Sequence, residues 1–193
     1  GADGALHDFD VKYSFGVAPL QQYLVELPGG RVQALSWAFD TRPRAAGGQR
    51  WFHLHPGEWI PPGDPLHWTS VAGNWNHMCA ECHSTQVKKG YQPATGSYET
   101  AFAEINVGCE ACHGPGSAHV AWAEAGKGGK VRETVDPLQG FAFGIGAGDG
   151  ATWVRPPGER IAHRSAPRLS QAELEPCARC HSRRSLLSED YVH

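Results

Sequence analysis

The frame Cys-Ala-Glu-Cys-His at residues 79–83 returns as Cys-Glu-Ala-Cys-His at 109–113 and as Cys-Ala-Arg-Cys-His at 177–181. These copies consume all six cysteines of the 193-residue chain. Thiols three positions apart lie about one helical turn from each other, so each frame asks for a short helix. The rest of the sequence is poor in signals for long regular elements, because 24 Gly and 14 Pro break it into turns. Seven Trp, seven Phe and five Tyr supply more aromatic surface than so interrupted a chain can bury in its own core. The combination fits a polypeptide that wraps large flat apolar groups and lets them form part of its interior.

Cys-x-x-Cys-His is the attachment signature of c-type haem. Two thiols on one turn can add across the two vinyl groups of a porphyrin, and the adjacent imidazole then reaches the iron from the proximal side. The expected cofactors are three haem c groups. Cys79 and Cys82, Cys109 and Cys112, and Cys177 and Cys180 are the attachment pairs, with His83, His113 and His181 the proximal ligands. A structural zinc site built from Cys79, Cys82, Cys109 and Cys112 leaves Cys177 and Cys180 without a role and the three histidines unexplained. Disulfides between such near neighbours staple little chain, and a redox dithiol would stand once rather than three times.

The other face of each iron needs a ligand or stays open. Met78, the sole methionine, directly precedes Cys79 and cannot fold back to the far side of that haem. High-potential His/Met iron is therefore not expected for the set. Eight histidines remain: His7, His53, His55, His67, His77, His119, His163 and His193. His119 ranks first, since Pro115 and Gly116 turn the chain away from its own haem before a helix that also carries Trp122. His53 and His67 follow, in Pro-braced aromatic loops. His55 shares a strand face with His53 by period-2 spacing and competes with it. His77 is too close to its own frame to swing round.

The chain reads as α+β with much irregular structure: an N-terminal β-hairpin region, then a haem-packed region of short helices. Residues 5–40 carry strand patterns, with a hairpin turn at Pro28-Gly29-Gly30. Residues 41–76 read as loop, broken by prolines. One helix is expected from an N-cap at Ser117 to a stop at Gly126, and another from the capping box Ser170-x-x-Glu173. The glycine-rich stretch 126–150 reads as an exposed loop, and its GxGxG run lacks the strand-turn-helix frame of a phosphate cradle. A β-rich segment, 1–60, is expected to pack on a trihaem region, 61–193. The chain opens on Gly1 inside a strand-like pattern and reads as a piece of a longer product.

The stretches FGVAPLQQYLVELPGGRVQAL, DPLHWTSVAGNWNHMCAECHST, VGCEACHGPGSAHVAW and ELEPCARCHSRRS resemble the multihaem c-type cytochromes related to the tetrahaem electron carrier of bacterial hydroxylamine oxidation. They are most similar to bacterial multihaem chains that carry tetratricopeptide repeats. The resemblance implies that the histidine of CHGPGxxH, here His119, ligates a different haem from that of its own frame. It also implies a further haem motif upstream and more haems or helical repeats downstream, so that one sixth ligand can come from such residues or from another subunit.

A net charge of −3, with no Lys/Arg run, gives no sign of a nucleic-acid surface, and no apolar stretch is of membrane-spanning length. Electron transfer along closely spaced, mostly bis-His haems is the leading function, and Cys79 and Cys109 stand thirty residues apart, near enough for neighbouring haems. An oxidoreductase acting on a small nitrogen or sulfur compound needs one open iron, and no CxxCK frame marks one. A subunit of a haem filament or larger electron-transfer complex is the third reading. Partners are then redox proteins or neighbouring haem subunits, and ionised propionates favour a basic partner patch. Haem is attached to such frames outside the bacterial cytoplasmic membrane, so a periplasmic or extracellular place is expected, with any export leader removed or upstream.

Overall fold

The computed structural model describes residues 5–129, 136–142, 144, 150–167, 171 and 174–182. The architecture is α+β, built of small antiparallel sheets and short helices. The chain divides into two compact units, Gly1–Asn106 and Val107–His193.

The first unit is a four-stranded antiparallel meander of β1 (Val11–Phe15), β2 (Leu20–Leu27), β3 (Arg31–Asp40) and β4 (Arg50–His53), in that order. The expected hairpin is present: Leu27 pairs with Arg31 across Pro28-Gly29-Gly30. Gly29 and Gly30 have φ of 79° and 68°, where a side chain is disfavoured. A Cβ on Gly30 would also stand 2.2 Å from the Tyr98 carbonyl oxygen. β4 falls within the stretch read as loop. Its period-2 pattern is only four residues long, and pairing with β3, Trp37 opposite His53, is what makes it a strand.

Two single-turn helices, α1 (Trp75–Met78) and α2 (Ala80–His83), lie against the sheet. The core is small: Leu24, Val32, Trp75 and Ala80, with Tyr13, Phe15, Cys79 and Phe102 packed around it. Buried polar side chains do the docking. Asn76 Oδ1 accepts from Val32 N at 2.7 Å, and Asn76 Nδ2 donates to Gly30 O (3.2 Å) and Thr100 Oγ1 (2.8 Å). Asn74 Nδ2 donates to Gln33 Oε1 at 3.0 Å, and Gln33 Nε2 donates to the carbonyls of Trp68 and Ser70. Asn74 also caps α1 by accepting from His77 N. A two-residue hairpin, β5 (Tyr91–Gln92) with β6 (Ser97–Tyr98), completes the unit.

The second unit holds α3 (Glu110–His113), α4 (Ser117–Ala125), the pair β7 (Trp153–Val154) and β8 (His163–Arg164), and α5 (Glu175–His181). Here α3 and α5 pack together. Gly126 ends α4 as expected, but the N-cap is Gly116 rather than Ser117. The reason is local: Glu110 Oε1 accepts from Gly116 N at 2.7 Å, so the chain is already in helical conformation at Gly116 and needs no hydroxyl. Part of the glycine-rich stretch is not a free loop, since residues 136–141 form a turn on α4, with Gly140 beside Ala118. The capping box at Ser170 lies outside the described residues.

Two stability predictions follow from the first unit. Replacing Asn76 by Ala orphans the Val32 amide in the core, so Asn76→Ala should lose about 1–3 kcal/mol in chemical denaturation. At the end of β3, Arg42 Nε and Nη2 donate to the two Asp40 carboxylate oxygens at 3.0 and 2.6 Å. Those hydrogen bonds from Arg42 hold the Asp40 carboxyl down at about 2, from an ordinary 3.8. A folded-state value below the unfolded one gives stability that is present above the unfolded value and disappears as pH falls through the folded one. Asp40→Asn should therefore be less stable than the parent at neutral pH, with the gap in thermal unfolding closing between about pH 4 and pH 2.

Candidate haem-binding site

Each frame folds as its spacing predicts. In the first, Cys82 N and His83 N both donate to the Cys79 carbonyl at 3.1 Å; in the second, Cys112 N and His113 N donate to the Cys109 carbonyl at 3.2 and 2.9 Å. The third frame occupies the last turn and a half of α5, ending at His181. The cysteine pair thus sits on one turn of helix with the imidazole directly after it, and none of the six cysteines is in a disulfide. Burial pushes the Cys79 thiol up from its ordinary value. Among the described residues no three His, Cys, Asp or Glu side chains converge on a metal-binding point.

The first frame is braced on both sides. Asn74 and Asn76 hold its approach to β3, and the residues after His83 hold its exit. Ser84 Oγ donates to Ile105 O at 2.9 Å and Thr85 Oγ1 to Asn106 O at 2.8 Å. The His83 ring stands on the edge of Phe15, with centroids 5.6 Å apart. The composition alone does not single out these polar braces. The signal available was their position, in the runs Asn-x-Asn before the frame and Ser-Thr after it.

The second unit differs. Among its described residues only Gly114 and Pro176 are buried. Trp153 is 64% exposed, Ile161 71% and Val120 57%. Exposed apolar side chains of this kind are ones that a large flat apolar group could cover. One turn of helix per cysteine pair fits thioether-linked haem, which those pairs would hold with His83, His113 and His181 as axial donors. His113 packs against Phe141 at 5.3 Å, and His181 is exposed at the end of α5.

The candidate distal histidines separate by hydrogen-bond partner. A carbonyl can only accept and an amide N–H can only donate, so the partner fixes which ring nitrogen carries the proton. His119 Nδ1 lies 2.7 Å from the Gln139 carbonyl oxygen and must donate to it, leaving the Nε2 lone pair available. His53 is the reverse: His55 N donates to its Nδ1 at 3.1 Å, which puts the proton of the neutral ring on Nε2. His67 resembles His53: Thr69 N donates to its Nδ1 at 3.4 Å, and the Thr69 hydroxyl lies 2.8 Å from the same nitrogen.

His53 and His67 line one cleft of about 270 Å³ in the first unit, with Trp37, Trp59, Trp68 and Glu58. His55 lies beyond the end of β4, and it meets His53 through the N–H to Nδ1 hydrogen bond and an edge contact of the two rings at 6.2 Å. His163 Nε2 is engaged by Glu159. His77 is exposed on α1, and His193 lies outside the described residues.

Residues 68–114, which span the first two frames, match the family model of cytochrome c554 and c-prime. Among solved structures the chain is similar to an undecahaem cytochrome from the S-layer of Carboxydothermus ferrireducens. The identity is 24%, the cover is 58% of this chain and 14% of that chain, and the TM-score is 0.36. The chain thus spans about a seventh of the length of that structure. No curated protein matches the chain. The family match supports a multihaem c-type cytochrome, and with it electron transfer by haem.

Proposed function

We propose that the chain is an electron relay through three covalently bound c-type haems, mostly bis-His. The observation that carries the relay is the packing of α3 on α5, because it brings the second and third attachment turns side by side within one unit. When bound, haem supplies one-electron exchange between ferric and ferrous iron, and its potential answers to axial ligand, burial and hydrogen bonding. The chain's own residues tether, orient and cover. Cys79 and Cys82, Cys109 and Cys112, and Cys177 and Cys180 anchor the groups. His83, His113 and His181 are the proximal donors.

Among distal candidates the tautomers put His119 ahead of both His53 and His67. A ring that already presents an unprotonated Nε2 ligates without rearrangement, whereas His53 must first surrender the amide hydrogen bond. In this reading the segment 1–60 serves as a β platform for the trihaem region, 61–193. Thioether attachment of haem supports a location in the bacterial periplasm or outside the cell. Its partners are redox proteins or adjoining haem subunits, including copies of itself in a filament. Among the described residues no helix is long and apolar enough to cross a membrane.

Intact mass and low-temperature EPR of the oxidised protein test the reading together. The expected result is a mass increment of three porphyrins, low-spin signals throughout, and no spectral change with cyanide. A colourless chain, or one loaded with zinc, sinks it; a high-spin haem that binds nitrite or hydroxylamine would instead favour an enzyme with one open iron. The ranking of distal ligands has its own check. His119→Ala should turn one haem from low to high spin, and an EPR spectrum left unchanged by it would remove His119 from the ligands.

A further inference from the structure

The turn from Asp136 to Phe141 belongs to a stretch whose glycine content marks it as loop, yet it is built around a single imidazole. The Gln139 main-chain carbonyl accepts from His119 Nδ1 at 2.7 Å. The Phe141 ring lies over the same imidazole at 4.0 Å and 18°, and Trp122 stacks on it at 5.6 Å. Asp136 shapes the turn: its Oδ1 accepts from Leu138 N at 2.9 Å and its Oδ2 from Gly140 N.

The backbone accommodates this at some strain. Gln139 takes φ of 54°, a left-handed conformation that a side chain disfavours. Gly140, at φ 82°, sits so close to α4 that a Cβ would stand 2.5 Å from the Ala118 carbonyl oxygen and 2.7 Å from His119 Cα. Only glycine lets the turn approach the helix at the height of His119.

We infer that Asp136 and Gly140 are positioning residues for His119: they seat the Gln139 carbonyl on Nδ1, which fixes the Nε2-ligating tautomer and makes the ring a stronger donor to the iron it binds. This rests on the reading of His119 as an axial ligand. An imidazole whose Nδ1–H is donated to a carbonyl is the more basic ligand, and it favours ferric over ferrous iron. One haem of the three is thereby held at a lower potential than a bis-His site without such a carbonyl.

The test uses the full haem-loaded chain, followed by spectroelectrochemical titration and low-temperature EPR. Gly140→Ala pushes the turn off α4. One haem should stay six-coordinate and low-spin while its ferric-to-ferrous ratio at fixed potential falls by roughly tenfold, an upward move of about 59 mV for a one-electron couple. Asp136→Ala should act in the same direction. Asp136→Asn, which keeps the bond to Leu138, should act less. Gln139→Ala keeps the main-chain acceptor and should leave the potential in place.

If Gly140→Ala and Asp136→Ala leave every potential and EPR line unmoved while His119→Ala creates a high-spin haem, the ligand reading stands and the positioning role is overturned. If His119→Ala leaves all haems low-spin, the ligand reading itself fails. An equal shift of all three haems in the turn variants also overturns the positioning role, because a general loosening rather than one hydrogen bond then moves the iron. Should Gly140→Ala not accumulate folded, Asp136→Ala decides by the same criteria.

Discussion

The amide network of Gln33, Asn74 and Asn76 is the interaction on which the first unit depends. Gln33 is 1% exposed, Asn76 1% and Asn74 4%, and each finds hydrogen-bond partners across the gap between β3 and the segment that leads into the first cysteine frame. Buried amides are costly unless satisfied, and once satisfied they admit one arrangement only. An apolar contact between Trp75 and the sheet would tolerate sliding. The amides do not, and they set where Cys79 and His83 stand relative to β3. Below the frame, Ser84 and Thr85 repeat the device on the opposite side. A covalently tethered cofactor needs this kind of fixity, since its potential depends on how its axial ligand is aimed.

The second unit solves the same problem by another route. It buries almost nothing among its described residues, and its order comes from polar links within short loops. Glu110, inside its own frame, takes the amide of Gly116 and so starts α4 at a definite place. Three residues into that helix stands His119, and the 136–141 turn closes on it from outside. The two units thus share a logic of side-chain to main-chain hydrogen bonds that aim imidazoles. The interior that the second unit does not build from its own side chains is what flat apolar groups attached at α3 and α5 would supply.

Histidine roles show how much partner chemistry adds to residue type. By composition His53, His67 and His119 are alike: each stands near proline and aromatic residues. Their hydrogen bonds distinguish them. A carbonyl at Nδ1 makes one ring a ready donor through Nε2, and an amide at Nδ1 makes another a poor one. Neither the Gln139 carbonyl, twenty residues away from His119, nor the His55 amide could be assigned from spacing, because main-chain groups carry no sequence signature.

The three frames, the helical turn that each requires, the Pro28-Gly29-Gly30 hairpin and the end of α4 at Gly126 were all legible in the sequence, because each is decided within a few residues by covalent spacing, by glycine's freedom or by a helix stop. The cap of α4 was misplaced by one residue because its true partner is a carboxylate six positions earlier. β4 was missed because four residues carry too little pattern until β3 pairs with them. Only the tertiary structure decided that Asn74, Asn76 and Gln33 are braces, that α3 meets α5, and that a glycine-rich loop returns to grip His119. Those outcomes depend on which distant groups must satisfy one another once water is excluded, and one-dimensional spacing does not encode that requirement.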